Sequence, residues 1–177
     1  MRKILIVVDM QNDFVTGALG NPEAEAIVPA VREKILRYPE QDRFATMDTH
    51  EENYLTTQEG RHLPVKHCIR GTEGWKLIPE IEDLIPQEHI ICKPSFGSEK
   101  LAETMKSLAE SNDLSIELIG VCTDICVVSN AILLKAALPE TQVSVDPACC
   151  AGVTPESHEA ALQTMQACQV DLIQGQN

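Results

Sequence analysis

Leu114-Ser-Ile-Glu-Leu-Ile119 runs into Gly120-Val-Cys-Thr-Asp-Ile-Cys126 and then into Val127-Val-Ser-Asn-Ala-Ile132. The first piece is a short apolar run of strand length. The last carries apolar residues at helical spacing, with Ile125, Val128, Ile132 and Ala136 on one predicted face. A buried strand that turns directly into a helix is the unit of an α/β fold. The turn also places Cys126 in the first turn of the predicted helix. Backbone N–H groups there lack partners within the helix, and the dipole favours negative charge. A thiolate is stabilised in such a position, so the sequence predicts an ionised, nucleophilic sulfur at Cys126.

Working outward, the same alternation fills the chain. Candidate strands are Lys3–Val8, Arg43–Met47, His89–Cys92, Ser115–Gly120, Gln142–Val145 and Val170–Leu172. They are rich in Ile, Val and Leu without polar alternation, as strands covered on both faces of a parallel sheet should be. Helical patterns lie between them at Glu23–Tyr38, Ser98–Glu110, Thr123–Leu138 and Pro155–Ala167. Thr154-Pro155 supplies an N-cap followed by Pro at the first helical position. The expected fold is a three-layer α/β/α sandwich with a mainly parallel six-stranded sheet, of Rossmann-like type, in one domain over residues 1–177. The connection from Asp48 to about Trp75 has no clear period, and loops of that length usually carry function.

Composition narrows the class of partner. A net charge of −13 argues against nucleic acid or an anionic membrane surface. No apolar run approaches the ~20 residues that span a bilayer. The apolar start Met1 to Val8 stops at Asp9 without a small-residue cleavage site, so it reads as a first strand and not a signal peptide. Seven scattered cysteines, with no Cys-x-x-Cys pair, fit a reducing cytosol rather than a disulfide framework. Cys149-Cys150 read as small residues in a packed turn. The expected location is cytoplasmic.

In open parallel sheets, ligands bind beyond the carboxyl ends of the strands. Asp9, Asp48, Lys93 and the Cys122–Cys126 turn each follow a candidate strand, so the fold would bring four distant segments to one rim. Taken alone, each has an ordinary reading as a cap, a solvated cation or a packed small side chain. Together they form a catalytic set. Cys126 is the nucleophile, Asp9 the general base and acid, and Lys93 the cation that favours the thiolate. Backbone N–H groups of Cys122 and Cys126 are candidates for an oxyanion hole.

These residues carry a resemblance that covers nearly the full length. Asp9-Met-Gln-Asn-Asp-Phe14, Ala45-Thr-Met-Asp-Thr-His50, His67-Cys-Ile-Arg-Gly-Thr-Glu-Gly74, the Lys93 segment and Gly120-Val-Cys-Thr-Asp-Ile-Cys126 resemble the motifs of the isochorismatase-like cysteine hydrolases, and within them the nicotinamidase subgroup. The resemblance implies hydrolysis of a small amide through a Cys thioester, with a cis peptide before Cys122. It also implies a divalent metal ion, zinc first, with manganese or iron as alternatives, that would take the substrate's pyridine nitrogen. Asp48 and His50 lie two apart, so in an extended segment they face the same way. Glu59 and His67 follow from the long loop, with His62 the rival to Glu59. Mixed carboxylate and imidazole ligands suit such metals.

The chain also departs from that pattern. The subgroup usually has an aromatic residue shortly before the position of His67, and Leu63-Pro64-Val65-Lys66 holds none. Phe14 and Trp75 are the candidate walls of the substrate pocket, and Phe96 arrives early after Lys93. This leaves open a relative that acts on another small amide, such as a carbamoyl or ureido compound. A vinyl-ether hydrolase is disfavoured by Cys126, because relatives of that type lack the nucleophile. A non-catalytic binding protein with this fold would lack an activated thiol. Chains of this fold often form homo-oligomers, and the sequence leaves the oligomeric state open.

Overall fold

The computed structural model describes residues 1–173. Six strands form one sheet: β1 Arg2–Val8, β2 Arg43–Asp48, β3 Ile90–Lys93, β4 Leu114–Val121, β5 Gln142–Ala151 and β6 Asp171–Leu172. Every pairing is parallel, and the order across the sheet is β3-β2-β1-β4-β5-β6. The chain therefore builds outward from β1 to one edge, returns, and builds outward from β4 to the other. The seam between β1 and β4 is the point where strand order reverses, and clefts open at the carboxyl ends there.

The helices are α1 Asn12–Val15, α2 Pro22–Leu36, α3 Gln58–His62, α4 Glu99–Ala109, α5 Val128–Ala137 and α6 Pro155–Ala167. One apolar core joins Ile4, Ile6, Val8, Ile116 and Leu118 of the sheet to Leu101 and Met105 of α4, Ala131 and Leu134 of α5, and Leu162 and Met165 of α6. The other joins Leu5, Val7, Ile119 and Val121 to Val31 and Ile35 of α2, and to Leu77, Ile78, Ile81 and Ile85 of the long connection. The sheet is thus covered on both faces, because alternate strand residues on each side are apolar. Local signals start the helices. Asn21 accepts from the Ala24 N–H at 2.7 Å ahead of Pro22, and Ser98 caps α4 through the Leu101 N–H. Thr154 and Ser157 form a reciprocal capping box at α6.

Several expectations need correction. The strand expected to end at Val145 continues to Ala151, so Cys149 and Cys150 lie within β5 and not in a turn. The continuation is possible because the β4–β5 register shifts between Leu118 and Gly120, which absorbs the extra residues as an irregularity. Gly120 has φ +115°, and a Cβ there would collide with the Val8 carbonyl of the neighbouring strand. The expected helix from Thr123 begins as a π-helical turn over Thr123–Val127 and becomes α-helical only at Val128. Its buried side is Val127, Asn130, Ala131 and Leu134, whereas Ala136 of the expected face is exposed. The extra residue of the π turn rotates the face, and apolar residues all round the helix hide the rotation in the sequence.

Candidate active site

Asp9 stands at the first residue past β1 with φ +48°, a left-handed conformation that Asp tolerates better than most residues. Its N–H donates to the Thr46 carbonyl at 3.1 Å, and Thr46 Oγ1 donates to Asp9 Oδ1 at 2.7 Å. Lys93 ends β3, two strands away, and pairs in register with Asp48 at the end of β2. Its long side chain crosses behind Asp48 to place Nζ 2.7 Å from Asp9 Oδ2, 3.4 Å from Cys126 Sγ, 3.5 Å from Asp48 Oδ1 and 3.0 Å from the Ser95 carbonyl. Cys126 comes from the π turn after β4, just past a Val121–Cys122 peptide that is cis. The carboxyl ends of four strands thus converge on one ammonium group.

Burial governs the electrostatics. Asp9 and Lys93 are essentially inaccessible and Cys126 is 5% exposed. Burial, reinforced by Asp48, pushes the Asp9 carboxyl above its ordinary pKa despite Lys93. Burial also opposes the charge on Lys93, but Asp9, Cys126 and Asp48 outweigh it and hold the ammonium firmly protonated. At Cys126 burial comes first, Asp9 adds to it, and Lys93 only partly offsets both, so the thiol is raised well above its ordinary value. Burial and Asp9 thus favour the protonated sulfur over the thiolate that the sequence predicts. The sulfur is buried beside the Asp9 and Asp48 carboxylates, both of which favour the thiol.

The long connection is ordered by contacts without period. His50 bridges to Ile69, Gln11 to Leu77, and the Asp13 carboxylate accepts from the Cys68 N–H at 2.7 Å. Tyr54 is fully buried, donates to the Leu63 carbonyl at 2.9 Å, and packs its ring against His50 and His67. Gly60 is needed where α3 turns, because a Cβ would strike the Tyr54 carbonyl. The result brings Asp48, His50, Glu59 and His67 together, with one ligating atom from each within 4.8 Å of the others. His67 Nδ1 donates to the Val65 carbonyl at 2.8 Å, which leaves Nε2 as an acceptor facing the cluster. Buried His50 Nε2 has no hydrogen-bond partner, though Asp48 Oδ2 is 2.8 Å away. Two carboxylates and two imidazoles whose Nε2 atoms face one centre fit a divalent metal ion. His62 stands apart, exposed and bonded through Nδ1 to the Gln58 carbonyl of its own helix at 2.9 Å.

Burial opposes ionisation at Asp48, but His50, His67 and Lys93 outweigh it and hold the carboxyl below its ordinary range. Lys93 therefore touches Asp9 and Cys126 on one side and Asp48 of the four-residue cluster on the other. A cavity of about 600 Å³ opens onto this region, lined by His50, Glu59 and His62 on one side and Pro94, Ser95 and Phe96 on the other. Phe14 packs 5.6 Å from the His67 ring, beside the ligands. Trp75 is not brought to this cavity. Its indole N–H donates to Thr49 Oγ1 at 2.9 Å, and it lines a separate cavity with Met47, Leu77 and Cys92.

Sequence reasoning missed three supporting residues. Gln11 is fully buried, donates to the Asp48 and Trp75 carbonyls and accepts from the Asp48 N–H, so it fixes the strand end that carries Asp48. Thr46 orients Asp9, and Tyr54 supports both imidazoles. Gln11 sits inside a motif already singled out, but nothing in one sequence separates it from its neighbours.

The family model described as Isochorismatase domain matches residues 3–177. In sequence, the chain is 32% identical over 145 residues to an uncharacterized isochorismatase family protein, PncA, of Bacillus subtilis, covering 75% of this chain and 78% of that protein. It is 26% identical over 188 residues to the nicotinamidase of Saccharomyces cerevisiae, covering 81% and 86%. Among solved structures, the pyrazinamidase of Pyrococcus horikoshii in complex with zinc aligns at TM-score 0.79 and 28% identity, over 99% of this chain and 100% of that one. The nicotinamidase/pyrazinamidase PncA of Bacillus subtilis aligns at TM-score 0.83 and 26% identity, over 98% and 100%.

Proposed function

This chain belongs to the isochorismatase domain family, and from that premise we propose that it is a metal-dependent cysteine amidohydrolase that converts nicotinamide and water to nicotinate and ammonia. The observation that carries the reading is the position of Lys93 Nζ, 2.7 Å from Asp9, 3.4 Å from Cys126 and 3.5 Å from Asp48. One cation joins an acid, a thiol and a metal-ligand cluster. The similarity to proteins named nicotinamidase and pyrazinamidase supports the substrate.

The chemistry follows from burial. A raised Asp9 carboxyl is a stronger base than an ordinary one, which narrows the gap to the thiol. Asp9 accepts the Cys126 proton as sulfur attacks the carboxamide carbon, and Lys93 stabilises the negative charge that passes through the pair. Backbone N–H groups of Cys122 and Cys126 receive the oxyanion. The tetrahedral adduct collapses, Asp9 returns its proton to the departing ammonia, and a thioester remains. Water then adds to the thioester carbon and gives a proton to Asp9. The C–S bond breaks, nicotinate leaves, and the thiol is restored. Asp48, His50, Glu59 and His67 would hold the divalent ion, with zinc our first choice. When bound, that ion supplies a Lewis acid for the lone pair of a ring nitrogen. All seven cysteines are free thiols, which supports a cytosolic location.

The test is to incubate the protein with nicotinamide and zinc, manganese or iron, and follow nicotinate and ammonia. Release of both in equal amounts is expected. No release with any of the three ions would overturn the reading. The lack of an aromatic residue in Leu63-Pro64-Val65-Lys66 favours a second reading, a small ureido or carbamoyl substrate. Preferential ammonia release from such compounds in an amide panel would select it.

A further inference from the structure

Cys126 sits in the π turn Thr123–Val127, a rare geometry that proteins use mostly as a single turn. The residue before the turn, Cys122, gives it no side-chain cap. The first two residues of the turn are tied outward instead. Thr123 is fully buried, and its Oγ1 shares a hydrogen bond of 2.8 Å with His158 Nδ1. Among the described residues this is the one hydrogen bond of the Thr123 hydroxyl. Asp124 Oδ1 accepts from the Val153 N–H at 3.0 Å. Both partners belong to the junction of β5 and α6, 35 and 29 residues further along the chain.

That junction is a firm anchor. Thr154 and Ser157 close the capping box and Pro155 opens the helix, so the first turn of α6 is fixed by local devices. The His158 N–H donates to the Thr154 carbonyl at 3.0 Å. Gly152 lets the end of β5 run close under the helix, because a Cβ there would meet the His158 backbone and Cβ at 3.0 Å. Just before it, Ala151 of β5 pairs with Val121 of β4, the residue that leads into Cys122. The imidazole is thus carried on a rigid frame and presented to the turn. A hydroxyl closed off from solvent needs its partner, so a turn without His158 would shift to find another. Small displacements of an attacking atom cost far more in rate than in binding.

We propose that His158 is a positioning residue for amide hydrolysis: through Thr123 it holds the turn so that Cys126 Sγ and the backbone N–H groups of Cys122 and Cys126 meet the carboxamide together. This rests on the amidohydrolase reading. His158 lies outside the four-residue cluster and outside the cavity lining, so it acts only through the turn. The Asp124–Val153 bond is a second tether that keeps the turn folded when the first is cut. The geometry that His158 sets is used in the transition state, so its loss falls on kcat and leaves KM in place.

The test is steady-state kinetics on nicotinamide with the metal-loaded protein and its variants, beside urea unfolding of each. His158→Leu should lower kcat about ten- to a hundredfold, with KM within about twofold of wild type. His158→Asn puts an amide end near the place of Nδ1, able to donate or accept, and should recover most of the loss. Thr123→Val removes the other half of the bond and should match His158→Leu. The double variant should be no slower than either single one, because both remove the same contact. Should His158→Leu fail to fold, Thr123→Val and its rescue by Thr123→Ser are read in the same way. Variants that lose stability but keep the wild-type kcat would show a merely structural contact and overturn the proposal. Losses that multiply in the double variant, or no recovery in His158→Asn, would overturn it too, while the amidohydrolase reading stands. Wild-type protein that releases no nicotinate would overturn both.

Discussion

At Cys126 two influences hold the proton on sulfur, the loss of water and the Asp9 carboxylate, while Lys93 at 3.4 Å opposes them. On the mechanism proposed above, reactivity arises when substrate arrives and Asp9 takes the proton. Cys126→Ala should abolish nicotinate release and leave the unfolding free energy in urea within about 1 kcal/mol of wild type, since only one buried sulfur is removed. Retained turnover would remove the covalent mechanism. Lys93 differs, because it answers Asp9 and Asp48 together where its side chain is closed off from solvent. Lys93→Met should cost about 3–5 kcal/mol in urea unfolding, and Asp9→Asn added to it should recover part of the loss. Equal stability of Lys93→Met and wild type would show that the ion pair is not what holds this corner. Asp9, Lys93 and Cys126 were legible in the sequence because each follows a strand that is plainly apolar. Their protonation was not legible, since it depends on depth and on which charges meet, and neither is local. Trp75 misled for a related reason: an aromatic near a motif gives no hint that its N–H is already committed to Thr49.

Among the elements, α2 is tied to the sheet by a polar knot that periodicity could not reveal. Lys34 lies 2.8 Å from Glu117 of β4 and 2.6 Å from Asp146 of β5, and the Tyr38 hydroxyl donates to Glu117. Burial opposes the Lys34 charge, but the two carboxylates raise its pKa above 10.5 overall. Burial and Glu117 raise Tyr38 above 10.0, and burial beside Asp146 pushes Cys149 up to about 12. All three shifts have the same sign. Each group keeps its proton more firmly when folded, so its contribution is complete below the unfolded pKa and is lost as pH climbs through the folded one. Thermal midpoints should therefore fall as pH rises above about 9, and Tyr38→Phe should flatten that fall. An unchanged alkaline slope in Tyr38→Phe would contradict the assignment. The helix starts were legible because Asn21-Pro22, Ser98 and Thr154-Pro155 are local capping signals. The buried face of α5 was not, because Val127, Val128, Ile132, Leu133 and Leu134 offer an apolar residue to every direction.

For the whole molecule, the sheet order follows from the alternation of strands and helices, and the rim where the site lies follows from the order. The 49–89 connection is the part the sequence could not supply. It is held by single contacts such as Tyr54 to Leu63 and Asp13 to Cys68, which leave no repeating trace. Three of the four candidate metal ligands, His50, Glu59 and His67, sit on that connection. An ion bound there fastens the connection to β2 and stabilises only the folded chain. Zinc at a hundredfold its dissociation constant should add about 2.7 kcal/mol to unfolding free energy, chelator should remove it, and His67→Ala should abolish the response. A melting curve indifferent to zinc and chelator would reject the ligand set. The seam between β1 and β4 has a consequence of its own. It sets the acid at position 9 beside the sulfur at position 126, which share no helix, loop or neighbouring stretch of chain. A partly opened molecule whose seam has parted carries a harmless thiol and an idle carboxylate, so turnover is a built-in gauge of whether that zipper is closed.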